Sequence, residues 1–245
     1  MTQMNVRQQE VLGMIVRKYV ETARPVGSRY ISRKLGLSSA TIRNVMADLE
    51  DMGYIAQPHT SAGRIPTDRG YRYFIDSLMR VRSLSEQAAK SIQDEYSHAV
   101  RSLEGVLERT AHLISDMTNY VGLTLFSQYD KVYLDGASHI VEQPEFQDLR
   151  KLYALLRCLE QKRDLLNLLK EDFTTDALTI HIGKENVASS LSDCSVVTKG
   201  YKVKGKVSGR LGVIGPKRMV YEKVIPAVEF LADTVSDLLD ELETR

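Results

Sequence analysis

Apolar positions recur at helical spacing in the first third of the chain, and alternating stretches appear in the later half. Leu12, Ile15, Val16 and Tyr19 stripe a helix over Val6–Thr22, which Arg24-Pro25 ends. Ser28 N-caps a short helix with Ile31 and Leu35 inward, and Gly36 suits the left-handed residue that closes it. Leu37 then turns inward and Ser38 or Ser39 caps a further helix. Ile42, Val45, Met46, Leu49 and Met52 form its buried stripe. The opposite face carries Ala40, Arg43, Asn44 and Ala47, with Ser39 and Thr41 at its open end.

That polar face is the first candidate for chemistry. Small residues allow close approach to another surface, while Arg offers paired donors for guanine edges and Asn reads adenine edges. A solvated face in any small helical bundle has the same composition, and these residues alone leave both readings open. Next comes a short alternation, Tyr54 to Gln57, then the turn formers Pro58-His-Thr-Ser-Ala-Gly63, then an extended Arg64-Ile65-Pro66. Two helices followed by a two-strand ribbon describe a winged helix-turn-helix, with a plain surface hairpin as the duller alternative. In a winged helix, His59, Thr60, Ser61 and Arg64 reach phosphates or the minor groove. Thr67 or Asp68 caps one more helix, with Tyr71, Phe74, Ile75 and Leu78 inward and Arg69 and Arg72 near its start. Those two arginines are either phosphate contacts or solvated.

From Ser85 to Thr118 no proline intervenes, and Ile92, Tyr96, Ala99, Leu103, Val106, Thr110, Leu113 and Met117 keep a four-three spacing. This predicts one long linking helix, whose seam pairs subunits or packs on its own chain. Beyond it, strands are predicted at Val121–Phe126, Lys131–Leu134, Leu178–Ile182, Ser195–Tyr201 and Val207–Ile214. Helices are predicted at Pro144–Leu159 and Arg163–Glu171, and a last one from Val220 with Val224, Val228, Leu231, Val235 and Leu238 in register. The fold class is therefore α+β, in three parts: 1–82 for DNA binding, 83–118 as the linking helix and 119–245 as an α+β domain.

Several long motifs give the pattern a family. LSSATIRNVMADLEDMGYI and HTSAGRIPTDRGYRYFID resemble the N-terminal domain of the HrcA family of heat-inducible transcription repressors. VYLDGASHIVEQPEF and GRLGVIGPKRMVYEKVIPAVEFL resemble that family's C-terminal domain. The resemblance implies a GAF-like fold for the C-terminal part and a dimer that represses chaperone genes from an inverted-repeat operator on double-stranded DNA. It also implies relief of repression on heat stress and a chaperonin partner. Read together with the helix face and the ribbon, it leaves Ser38, Ser39, Thr41, Arg43, Asn44, His59, Thr60, Ser61 and Arg64 as the expected DNA contacts. The chain departs from the family in one place. Members carry a further stretch of roughly a hundred residues, including a dimerising subdomain, before the segment like VYLDGASHI. Here Val121–Phe126 reaches Val132 almost at once.

Charge sharpens the division of labour. The net charge is only +1. Met1–Arg82 nevertheless holds 13 Lys and Arg against 7 Asp and Glu, leaving 20 against 25 for the rest. A basic first third on an acidic remainder suits a DNA-binding module carried by a non-binding one. No apolar run is long enough for a membrane span, and the two cysteines, Cys158 and Cys194, share no motif, so the cytoplasm is the expected location. The five histidines have no metal-ligand spacing, and no nucleotide loop or nucleophile motif occurs, so neither metal, cofactor nor enzymatic activity is expected. The alternative function is a winged-helix regulator whose C-terminal domain binds a small metabolite.

Overall fold

The computed structural model describes residues 4–80, 83–99, 102–127, 131–161, 165–166 and 171–243. They form two compact units, Met1–Arg80 with Lys217–Val220, and Val81–Pro216 with Tyr221–Arg245.

In the first unit, helices α1 (Val6–Thr22), α2 (Ser28–Leu35) and α3 (Ser39–Asp51) lead to strands β1 (Ile55–Ala56) and β2 (Ile65–Pro66). Helix α4 (Asp68–Tyr73) follows and runs into a π-helical turn over Phe74–Leu78. Asn5 and Gln8 form a capping box on α1 that satisfies two otherwise orphaned amides. The core beneath is Leu12, Ile15, Val16, Ile31, Ile42, Met46 and Leu49 from the expected stripes, joined by Val11, while Tyr19, Leu35, Val45 and Met52 are only half-buried. Ser28 does not cap α2; Gly27 occupies the N-cap and Ser28 is the first helical residue. Gly36 ends α2 at φ +66°, the left-handed conformation that favours glycine.

The second unit opens with α5 (Glu86–Ala99) and α6 (Leu103–Thr118), which corrects the single long helix. Ser102 is extended (φ −146°, ψ 155°), and its side chain caps α6 through the Gly105 amide. Residues 96 and 110 would lie about 21 Å apart on one continuous helix. Instead Tyr96 Oη and Thr110 Oγ1 are 2.6 Å apart and buried, so the chain turns back on itself. Ile92, Tyr96, Val106, Thr110 and Leu113 are buried in this fold. The four-three spacing thus marks a helical hairpin, because a stripe buries equally well against a neighbour in its own chain.

The sheet that follows has five antiparallel strands in the order β4-β3-β7-β6-β5. They are β3 (Val121–Phe126), β4 (Lys131–Asp135), β5 (Thr179–Ile182), β6 (Cys194–Val203) and β7 (Lys206–Pro216), matching the five expected strands to within two residues at each end. Lys204 and Gly205, both at positive φ, make the β6–β7 hairpin, whose primed geometry follows the sheet's twist. Helix α6 and the closing helix α9 (Tyr221–Glu243) cover one face. On the other face Val121, Leu123, Leu125, Val132, Val196 and Ile214 pack with Ile140, Phe146, Leu155, Cys158 and Leu159. Those last residues come from α7 (Ser138–Val141), a 3₁₀ turn at Pro144–Phe146, and α8 (Leu149–Glu160). The expected helix from Pro144 is therefore split, with Asp148 capping α8 through the Arg150 amide. Most of the helix expected at Arg163–Glu171 lies outside the described residues. In α9 the buried stripe takes Leu239 with Leu238 only half-buried, one step on from the expected register. Gly122 lets α6 sit close on β3, since a Cβ there would lie 2.1 Å from the Ala111 carbonyl oxygen.

A charged side chain is buried in this unit among the described residues. Arg210 on β7 is fully buried and bears on the segment leading into β5. Its Nη1 donates to the carbonyls of Asp172 (2.5 Å) and Thr175 (2.8 Å). Its Nη2 donates to Ala177 O (2.8 Å), Thr179 Oγ1 (2.9 Å) and Thr198 O (3.2 Å), and its Nε to Thr198 Oγ1 (3.1 Å). Burial lowers the guanidinium pKa from its ordinary value, opposed by the nearby Asp172 and Asp176.

Candidate nucleic-acid interface

The turn between α2 and α3 is held from one side chain. Ser32 Oγ donates to Leu37 O at 2.6 Å, while its carbonyl accepts the amides of Gly36 and Leu37. This fixes the angle at which α3 leaves. Ser38 is the N-cap, its Oγ accepting the Thr41 amide at 3.0 Å and lying 2.9 Å from Thr41 Oγ1. A Ser38→Ala variant is expected to lose about 1 kcal/mol of stability in urea titration, as for a lost cap.

With Ile42, Met46 and Leu49 facing the core, the other side of α3 stands in solvent. Ala40, Thr41, Arg43, Asn44 and Ala47 are exposed, as is Ser38, and Ser39 is half-buried. The ribbon beside it is tied down at three points. Val26 and Arg64 form an antiparallel bridge through both backbone hydrogen bonds, 2.8 and 2.9 Å, adding a third short element to β1 and β2. Gly63 is required here, since a Cβ would stand 2.5 Å from the Val26 backbone. Gln57 Nε2 donates to the carbonyls of Thr60 (2.9 Å) and Ala62 (3.0 Å), holding the loop from within. Glu50, at the end of α3, accepts the Gln57 amide at 3.1 Å and pairs with Arg64 Nη2 at 2.8 Å.

His59, Thr60 and Ser61 stand exposed on this loop. Arg64 is set apart from them, half-buried at the ribbon's base and neutralised by Glu50. Arg69 and Arg72 are engaged within the unit as well. Arg69 donates to Met52 O at 2.8 Å with its guanidinium 4.5 Å over the Tyr54 ring, and Arg72 pairs with Asp76 at 3.5 Å.

Between α3 and the ribbon lies a cleft of about 440 Å³, lined by Arg29, Arg43 and Arg64 among others. Arg29 is absent from the residues that sequence reasoning picks out, which read only the inner face of α2. Its signal lies in the i,i+4 pair Arg29 and Arg33, both exposed. Arg24, Arg29, Arg33, Lys34 and Arg43 are exposed and take part in no ion pair among the described residues. Cations left without carboxylate partners beside an exposed helix are suited to phosphate and base edges.

These features define a winged helix-turn-helix DNA-binding protein: a helix bared on one side, a tethered ribbon alongside, and unpaired cations between. The comparisons give the family. Residues 3–78 match the model described as winged helix-turn-helix transcription repressor, HrcA DNA-binding, and residues 123–225 match the HrcA protein C-terminal domain. The chain belongs to the HrcA family of heat-inducible transcription repressors.

It is 33% identical to a heat-inducible transcription repressor HrcA of Pelotomaculum thermopropionicum, covering 96% of this chain and 97% of that one. It is 35% identical to the protein of that name from Chlorobium phaeobacteroides, covering 95% and 97%. The first of these alignments runs over 337 positions against the 245 residues here, so this is a short form. A crystal structure described as a hypothetical protein has the same fold, with a TM-score of 0.83 at 20% identity over 98% of this chain and all of that one. Among the described residues no helix is long and apolar enough to cross a membrane.

Proposed function

We propose that the chain represses heat-shock genes in the cytoplasm, as a homodimer bound to an inverted-repeat operator and without enzymatic activity. The observation that carries this reading is the bared face of α3, where Arg43 and Asn44 stand exposed among small residues beside the ribbon. In this reading α3 enters the major groove, with Arg43, Asn44, Thr41 and Ser39 toward base edges or adjacent phosphates. Ser38, His59, Thr60 and Ser61 bear on the flanking backbone, joined by Arg29 from the far side of the cleft. Arg64 serves that backbone through its hold on the ribbon, since Glu50 already takes its charge.

Relief on heating follows from thermodynamics. Partial unfolding at stress temperature lowers the population competent to bind DNA, and a chaperonin restores it. A family inverted repeat, titrated against a duplex with one half-site scrambled, tests the core of this proposal. The expected result is strong preference for the intact repeat at two chains per duplex. Equal binding to both duplexes at one chain per site would sink the dimer while keeping the winged helix.

A further inference from the structure

The β4 edge of the sheet fits a second copy of this chain. Strand β4 lies at the end of the strand order and, among the described residues, pairs only with β3, so its other edge presents backbone groups with no described strand beside them. Its sequence is Lys131-Val132-Tyr133-Leu134-Asp135. Laid antiparallel against itself about Tyr133, it sets Lys131 opposite Asp135, Val132 opposite Leu134, and Tyr133 opposite its own copy. Each pair is one that cross-strand contact favours: opposite charges, two aliphatics, two aromatics. Such self-complementarity is the condition for an isologous two-fold interface.

The side chains stand where this pairing needs them. Lys131 reaches Glu104 and Asp135 reaches His112, both on α6, so the charged pair lies on the helix-covered face. Val132 and Leu134 point to the opposite core, where Val132 is buried and Leu134 is partly covered. The Lys131 and Asp135 side chains are 39% and 41% exposed, so their present partners leave room for another. Along the helix-covered face a trough of about 720 Å³ is lined by Glu108, Arg109 and His112 of α6 and by Tyr133 and Asp135 of β4.

We propose that two copies of this chain pair edge to edge through antiparallel β4 strands centred on Tyr133, joining their sheets into one. This rests on the two-chain reading of the operator complex and names the surface that achieves it. A strand pair this short is smaller than the ~1,200–2,000 Å² of a standard stable interface. The dimer is therefore expected to dissociate over concentrations that sedimentation can follow.

The test is sedimentation of the full chain, of Lys131→Asp and of Asp135→Lys, each alone and then the two variants mixed in equal amounts. The parent is expected to show a concentration-dependent dimer. Each variant alone sets like charges opposite one another twice, because of the two-fold axis, and raises the dissociation constant about tenfold or more. The mixture restores dimers. The introduced aspartate of one chain then meets the introduced lysine of the other, and the untouched Lys131 meets the untouched Asp135. Asp135 also accepts the Gly136 amide, so melting curves accompany the series. Should that variant melt early, Lys131→Ala against Lys131→Asp separates loss of attraction from added repulsion, with the aspartate the weaker dimer. Variants that dimerise as tightly as the parent, or a mixture that stays monomeric, would overturn the proposal. The operator titration reports separately whether two chains assemble on DNA at all.

Discussion

Arg210→Ala should lose on the order of 3–5 kcal/mol of stability in the second unit, the scale at which breaking a buried charged network is felt. The guanidinium is fully buried, and its donors satisfy four main-chain carbonyls and two threonine hydroxyls. Truncation strands those acceptors without water, and each buried unsatisfied group costs about 1–3 kcal/mol before relaxation. Three of the carbonyls, on Asp172, Thr175 and Ala177, belong to the segment ahead of β5, so that edge should loosen first. Arg210→Lys should recover only part of the loss, because an ammonium has three donors at one point where the guanidinium has five spread along a fork. Urea titration of the three proteins measures this. A difference below about 1 kcal/mol between parent and alanine variant would mean that the segment ahead of β5 finds other partners or water.

On DNA, Arg43→Ala should weaken operator binding by about 1–3 kcal/mol per half-site and relax preference at one base position in each half-site, with Asn44→Ala doing so at another. Both side chains are exposed and Arg43 has no ion-pair partner among the described residues, so melting should stay within about 0.5 kcal/mol of the parent. Arg29→Ala provides the contrast. A phosphate contact carries no sequence information, so its loss should weaken all duplexes alike; with two chains per duplex two such contacts go, and the log–log salt slope should flatten by about 1.8. Competition binding against single-base operator variants, repeated across salt concentrations, distinguishes these outcomes. If Arg43→Ala weakened every duplex equally, base reading would have to be reassigned within α3.

Helical stripes were the most legible part of the fold. Spacing of Leu12, Ile15 and Val16, and of Ile42, Met46 and Leu49, named core positions because one face of each helix has to leave water. The five strands were legible for a similar local reason, their alternation, whereas the positive-φ turn at Lys204-Gly205 came from the structure. The polar face of α3 could be read by subtraction from its buried stripe. The break at Ser102 could not, since a serine within a proline-free, helical pattern serves as cap or as interior residue according to what the next helix packs against. Nor did the pattern reveal that Arg64 is taken by Glu50, fourteen residues away, or that Arg29 shares a cleft with Arg43.

By itself, the sequence determined the order of elements, the faces they bury, the basic first third and the membership of the HrcA family. Local propensity, hydrophobic period and charge count all act over a few residues and survive in any arrangement. Tertiary structure alone decided which cations are free, where the helical stripe folds back, and why a strand arginine is tolerated in the core. Those outcomes depend on distant groups, a carboxylate or a row of carbonyls, arriving within hydrogen-bond reach, and no spacing along the chain encodes that distance.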